Sequence, residues 1–305
     1  MLKSIASIVA VFVLALALSA RAADTVIPLK IDSGGIMERD TRTFSVPVAI
    51  AGKEYNFAWG CSGWTIVSQS FAKTAGLRVM PDDSLATWVD GAGQLLFAGV
   101  AETDVTFAGK KVRVPLRVLK DAYTDGQTLG TIGYDIASQF QWELNPDAEK
   151  PTLTIRPLGT KIATKPIAVL PLTDDGERIW LSVTVRNVPF DLVIMPQASD
   201  ITAGPQIQRK WDLTQGKIED VPTPAGPVRT ITLGPKEPVQ LSKALAEMGV
   251  TIVLVGDPKS KDDLPATTNG VGASLLNRYV YVVDVKTKQF SLIAKMQTPT
   301  TQPTK

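Results

Sequence analysis

The sequence predicts a mainly β chain of two related lobes with short helices, built on an internal repeat, and three observations carry that expectation. Apolar and polar residues alternate with period two over many short runs, the pattern of half-buried strands. The stretch from Asn56 to Val67, an apolar strand that breaks into a Gly/Ser turn and resumes, has a counterpart within Asp191 to Thr202, where Met195 falls on Ala58, Ser199 on Ser62 and Thr202 on Thr65, each 137 positions later. An apolar pair ending in glycine and leading into a short helix also occurs twice, at Thr131-Ile132-Gly133 and at Val271-Gly272. A long-period repeat of this kind is a structural statement by itself.

In chain order, Met1-Leu2-Lys3, an apolar run to about Ala20 and Ala20-Arg21-Ala22 have the layout of a secretory signal peptide. Roughly sixteen apolar residues fall short of the ~20 that a spanning helix needs. A cleaved leader over 1–22 is therefore expected, with a secreted or periplasmic product and no membrane insertion afterwards. Without Lys3 and Arg21 the chain carries 30 basic against 30 acidic residues, a balance that gives no field for nucleic acid.

There is no histidine, which excludes Ser-His-Asp and Cys-His catalysis and any imidazole-ligated zinc. No metal cluster and no phosphate-cradling glycine motif stands out, so no cofactor is expected. Cys61 is the sole cysteine; it reads as a small buried residue of the turn, because a reactive thiolate needs a base or cation beside it.

Val26 to Lys30 and Phe44 to Ile50 read as strands, with Asp32-Ser33-Gly34-Gly35 as a turn between them. Ala51-Gly52-Lys53 is a tight connection, and Glu54 to Trp59 runs back as the strand that enters the Gly/Ser turn. Ser68 to Gly76 has the N-cap and the glycine stop of a short helix. Leu85 to Phe97 is a hairpin with a Gly-rich tip holding Trp88, Asp90, Gly91 and Gly93, and Val105 to Leu119 is another around Ala108-Gly109-Lys110.

Gln141 to Leu144 with Thr152 to Ile155 makes a closing hairpin, matched by Tyr279 to Val283 with Gln289 to Ile293. The lobes are then expected over 23–157 and 167–295, joined by a linker over 158–166 and followed by a disordered tail over 296–305. In the second lobe a helix is expected from Pro205 to Trp211, a flap-like segment from Thr223 to Pro227, an added helix from Leu241 to Met248 and a charged surface loop from Gly256 to Thr268.

The strand-turn-strand at Phe57 to Val67 and the apolar-apolar-Gly strand resemble the active-site loop and the second hallmark of the pepsin/retropepsin aspartic proteases. The resemblance covers about Val26 to Ile293 and implies a two-lobed β-barrel fold with a peptide-binding cleft between the lobes. In that register Gly60, Cys61 and Ser62 lie on the family's Gly-small-Ser, Ala58 on the first catalytic aspartate and Met195 on the second. Hydrolysis in that family needs two carboxylates sharing one proton, and neither residue titrates. Trp59 and Pro196 also lack the hydroxyl with which the family ties its two turns together, and Gln197 replaces the second glycine.

The reading is therefore a non-catalytic relative binding a peptide or protein partner, with Trp59, Gly60, Pro196 and Gln197 on the cleft floor and Trp88, Asp90, Gly91 and Gly93 on the flap. Two alternatives stay open: an active endopeptidase using other acids such as Asp32, Asp90, Asp135 or Asp200, and a structural envelope component. Trp59 and Trp64 are either an apolar ligand surface or core between the lobes.

Overall fold

The computed structural model describes residues 24–295 apart from 33–41, 83, 90–92, 124–128, 148, 186–187, 199, 212–216, 224–225, 234–238, 243–244, 248–251 and 256–268. The leader, the tail and the charged loop expected at 256–268 lie outside the described residues, as do Ser33-Gly34-Gly35, Asp90 and Gly91. Among the described residues no helix is long and apolar enough to cross a membrane.

The protein is mainly β. The first half runs β1 (Thr25–Pro28), β2 (Lys30–Asp32), β3 (Thr43–Ile50), β4 (Lys53–Trp59), β5 (Ile66–Ser68), α1 (Gln69–Thr74), β6 (Met80–Pro81), β7 (Ala86–Val89), β8 (Gly93–Phe107), β9 (Lys110–Leu119), β10 (Gly130–Ile132), α2 (Tyr134–Ala137), β11 (Gln141–Asn145) and β12 (Thr152–Arg156). The second half runs β13 (Ala168–Asp174), β14 (Ile179–Val185), β15 (Val188–Ile194), β16 (Ile201–Ala203), α3 (Pro205–Trp211), β17 (Lys217–Thr223), β18 (Gly226–Leu233), β19 (Val239–Ser242), β20 (Leu245–Glu247), β21 (Ile252–Val255), β22 (Gly270–Val271), α4 (Ala273–Leu276), β23 (Val280–Asp284) and β24 (Gln289–Ile293).

Local chemistry accounts for the breaks. The hairpin turns Ala51-Gly52 and Ala108-Gly109 are left-handed at both residues, with φ of 51° and 78° and of 52° and 75°, the geometry that matches the strand twist in two-residue loops. Ser68 caps α1 by accepting from the Phe71 amide at 3.1 Å, and Gly76 ends the helical segment at φ 69°.

One expected helix is corrected. The described residues of Leu241 to Met248 are not helical: Val239–Ser242 and Leu245–Glu247 are strands that pair with each other, Val239 opposite Glu247, and residues 243–244 and 248 are outside the described residues. Val239 and Leu241 are buried while Gln240 and Ser242 are half-buried, so the period-two pattern prevails over the helix-forming composition.

Two sheets hold the strands. Among the described residues a 9-stranded sheet of first-half strands has the order β2-β3-β4-β10-β5-β9-β8-β6 with β7 paired to β8 beside it, and a 15-stranded sheet runs β1-β12-β11-β23-β24-β13-β14-β15-β22-β16-β21-β18-β17 with β19 on β14 and β20 on β19. The second sheet passes from one half of the chain to the other where β11 meets β23, with Trp142 opposite Val283, Glu143 opposite Val282 and Leu144 opposite Tyr281. On one face of this central segment Trp142, Leu144, Tyr281 and Val283 are fully buried. From there an aromatic chain leads into the first half, Tyr281 to Trp142 at 5.9 Å between ring centroids, Trp142 to Trp59 at 5.2 Å and Trp59 to Phe107 at 5.7 Å.

Candidate functional site

The first turn is shaped by the strand beside it. β10 runs parallel to β4, with Ile132 opposite Trp59, and the Ile132 carbonyl accepts from both the Gly60 and Cys61 amides, at 3.1 and 2.9 Å. The chain then reverses through Cys61 at φ 50° and Gly63 at φ 67°. Backbones nearly touch where the turn crosses the start of α2: a Cβ on Gly133 would lie 2.3 Å from the Trp64 carbonyl carbon. Glycine is required there by space.

Asp135 locks this crossing. Its Oδ1 accepts from the Thr65 amide at 3.1 Å and the Thr65 hydroxyl at 2.6 Å, and the Thr65 hydroxyl oxygen accepts from the Gly133 amide at 3.0 Å. Its Oδ2 is buried with no partner among the described residues. Burial pushes the carboxyl above its ordinary value, partly offset by the bonds from Thr65.

The second turn has the same hydrogen-bond plan. β22 runs parallel to β15, with Val271 opposite Ile194, and the Val271 carbonyl accepts from the Met195 amide at 2.9 Å. The Ala198 carbonyl accepts from the Ala273 amide at 2.8 Å, just as the Gly63 carbonyl accepts from the Tyr134 amide. Gly272 would place a Cβ 2.5 Å from the Ala198 and Asp200 oxygens. Ser199 is outside the described residues.

By these bonds Met195 stands in its turn as Gly60 does in the first, Ala198 as Gly63 and β16 as β5, a spacing of 135 residues beside the 137 expected from the sequence. The hairpins agree, since Ser45 pairs with Ala58 and Trp180 with Val193. Ala58 thus corresponds to Val193, which is fully buried. No carboxylate stands at that place in either turn.

The turns meet directly. Ser62 Oγ donates to the Ile194 carbonyl at 2.7 Å, and Cys61 Sγ lies 3.7 Å from the same oxygen. The Gln197 side chain comes within 3.6 Å of where a Cβ on Gly60 would sit, and its Oε1 is buried without a partner among the described residues. Sequence reasoning noted the missing hydroxyl at Trp59 and Pro196 and missed that Ser62, three residues after Trp59, supplies one. Its small polar side chain in a turn was the only available signal.

The remaining expected site residues separate. Ala58 and Met195 are half-buried, while Gly60 and Pro196 are buried. Trp59 is 1% exposed and packs between Phe107 and Trp142, so it belongs to the core and lines no cleft. Trp64 is half-buried under the Arg117 guanidinium, 4.6 Å from the ring centroid. Cys61 is buried, and burial pushes its thiol up, away from the thiolate.

Trp88 lies in β7 and Gly93 opens β8, so both fall in one hairpin, while its tip residues Asp90 and Gly91 are outside the described residues. Asp32 accepts from the Ser45 hydroxyl at 3.2 Å in the β2–β3 pair, and Asp200 is buried after the second turn. Asp135 is bound to Thr65. Among the described residues no group of three His, Cys, Asp or Glu side chains is arranged to hold a metal ion. No protein-family model matches the chain, and no curated protein matches it either.

Proposed function

We infer that this is an exported, two-lobed protein built on the aspartic-protease plan, which binds an extended peptide or protein segment between its lobes and does not cut it. The observation that carries this reading is the join between the turns. They meet through Ser62 and Ile194 where a protease of this plan needs two carboxylates sharing a proton.

The two-lobed plan rests on the order and pairing of elements, at a spacing of 135 residues in hairpin and turn and of 139 from the parallel strand to the short helix. Each half has a β-hairpin, a turn, a parallel strand ending in glycine and a short helix in the same order and with the same pairings. The halves share the central strands with Glu143 opposite Val282 at the middle. In this plan the β7–β8 and β17–β18 hairpins serve as flaps, and the half-buried Ala58 and Met195 are the floor that a bound segment meets. Such a floor offers apolar contact and no titrating group, which suits retention over turnover.

The test is incubation of the protein with a diverse peptide mixture from pH 3 to 8, with mass spectrometry scoring new peptide ends and peptides retained on the protein. Retention without new ends is the expected result. New ends that disappear in an Asp32→Asn, Asp90→Asn, Asp135→Asn or Asp200→Asn variant overturn it, and neither cutting nor retention removes the groove from the reading.

A further inference from the structure

One cross-strand row of the first half lies outside the core. Ala58, Thr131, Ile66 and Arg117 stand opposite one another across β4, β10, β5 and β9, so their side chains share a face of the sheet. All four are half-buried, while their chain neighbours Phe57, Trp59, Ile132, Val67, Leu116 and Val118 are buried on the other face. The row leads from Ala58, on the floor of the groove, to Arg117, three strand spacings or about 14 Å along the sheet. Its far end meets the second half of the chain. The Gly63 amide donates to the Glu177 carbonyl at 2.8 Å and the Tyr134 hydroxyl to Asp174 at 2.9 Å, and Glu177 and Arg178 act electrostatically on Arg117.

Arg117 is held in place and left unpaired. Its guanidinium lies 4.6 Å from the Trp64 ring centroid and 6.0 Å from that of Phe97, and its amide donates to the Thr65 carbonyl at 3.0 Å. The acids that act on it are engaged elsewhere: Glu177 meets Arg178 at 3.5 Å, and Asp135 accepts from Thr65. The Arg117 side chain makes no hydrogen bond and no ion pair among the described residues. Arg113, on the same strand, is bound to Glu102 at 2.9 Å. Stacking on an aromatic ring orients a guanidinium and leaves its N–H edge open to a planar carboxylate. A guanidinium is also more weakly hydrated than an ammonium, so exchanging its water for a ligand costs less. The rest of the row carries no charge, and in the second half Ile252 stands opposite Ile201 as Arg117 does opposite Ile66. The charge is therefore confined to one side of the groove.

Resting on the peptide-binding reading of that groove, we propose that Arg117 is its specificity-determining residue and selects an extended segment bearing an aspartate or glutamate side chain. The carboxylate meets the guanidinium edge beside Trp64, and the apolar remainder of the segment lies along Ile66 toward Ala58.

The experiment is retention of random N-acetylated octapeptide libraries on the full chain at pH 7, scored by mass spectrometry. An amidated library containing Asp and Glu is compared with an amidated twin in which Asn and Gln replace them, and with the free-acid form of that twin. The acidic library is expected to be retained at least about tenfold more than its amidated twin, the gain of one charge-assisted contact, and the preference is expected to vanish in Arg117→Gln. Salt gives a readout that needs no variant: sodium chloride raised from about 0.05 to 0.5 M should bring the acidic library down toward its twin. Equal retention of the two amidated libraries, a preference that ignores salt, or one that survives in Arg117→Gln overturns the proposal and leaves the groove standing. Preference for the free-acid twin alone assigns the contact to a chain end and overturns it too. Retention of no library removes the groove and the proposal together.

Discussion

The Ser62 hydroxyl donates to the Ile194 carbonyl at 2.7 Å, joining two turns that lie 132 positions apart in the chain. Each turn is held from its own side by a parallel strand, at Ile132 and at Val271. The hydroxyl is thus a bond between two preformed units, and it sits where Gly60 and Gln197 also approach each other.

Ser62→Ala removes this bond and leaves the carbonyl without that partner. A loss of about 1–2 kcal/mol follows for a part-buried hydrogen bond, read as a fall in melting temperature of roughly 2–4 °C per kcal/mol for a chain of this size. An unchanged melting curve would show that the join adds nothing to stability.

Trp59→Ala should cost about 3–5 kcal/mol as a large-to-small change in a closed core, because the ring is 1% exposed between Phe107 and Trp142. The midpoint of denaturant unfolding measures it. A midpoint that holds while peptide retention is lost would return Trp59 to the groove surface.

Gly133→Ala and Gly52→Ala separate space from backbone conformation. A Cβ on Gly133 meets backbone atoms of Gly63, Trp64 and Thr65 at 2.3–2.5 Å, which neither turn nor helix can give up, so little soluble folded protein is expected. Gly52 has open space around it and φ 78°, so its alanine variant carries only left-handed strain of about 1–2 kcal/mol. Parallel expression and circular dichroism distinguish them, and equal behaviour refutes the steric account.

Asp135 predicts a pH dependence of definite sign. Burial raises its carboxyl in the folded protein above the ordinary 3.8, so over that interval the native state holds a proton that the unfolded chain has released. Stability falls as pH rises from about 3.8 through the native value, and is flat above it. Asp135→Asn keeps an acceptor for Thr65 and cannot ionise, so its unfolding free energy should lack this decline. A variant that follows the wild-type profile would assign the decline to other groups.

Much of the fold is legible in the residues. The alternation from Phe44 to Ile50, the Ala-Gly turns, the Ser68 cap and the glycine before each short helix act within a few positions of themselves, and each stands in the structure where it was expected. The absence of histidine is likewise a property of the sequence, and it excludes Ser-His-Asp and Cys-His catalysis and imidazole-ligated zinc from the residues alone. The strands at Leu241 and Leu245 were not legible, because their helix-favouring residues are outweighed by a pairing partner that only folding brings alongside.

The spacing between the halves shows the limit most clearly. Offsets of 137 and 135 differ by two residues, and two is the period of a strand, so both lay apolar on apolar and polar on polar. Hydropathy cannot tell them apart. The ladders can, since a hydrogen bond joins one amide to one carbonyl: Gly60 and Cys61 to Ile132, Met195 to Val271. The sequence by itself determined which faces are buried and which chemistry is missing. Only the tertiary structure decided which residues oppose each other, that Trp59 is core, that Ser62 joins the turns and that the linker closes over Gln141, because each depends on partners distant in the chain.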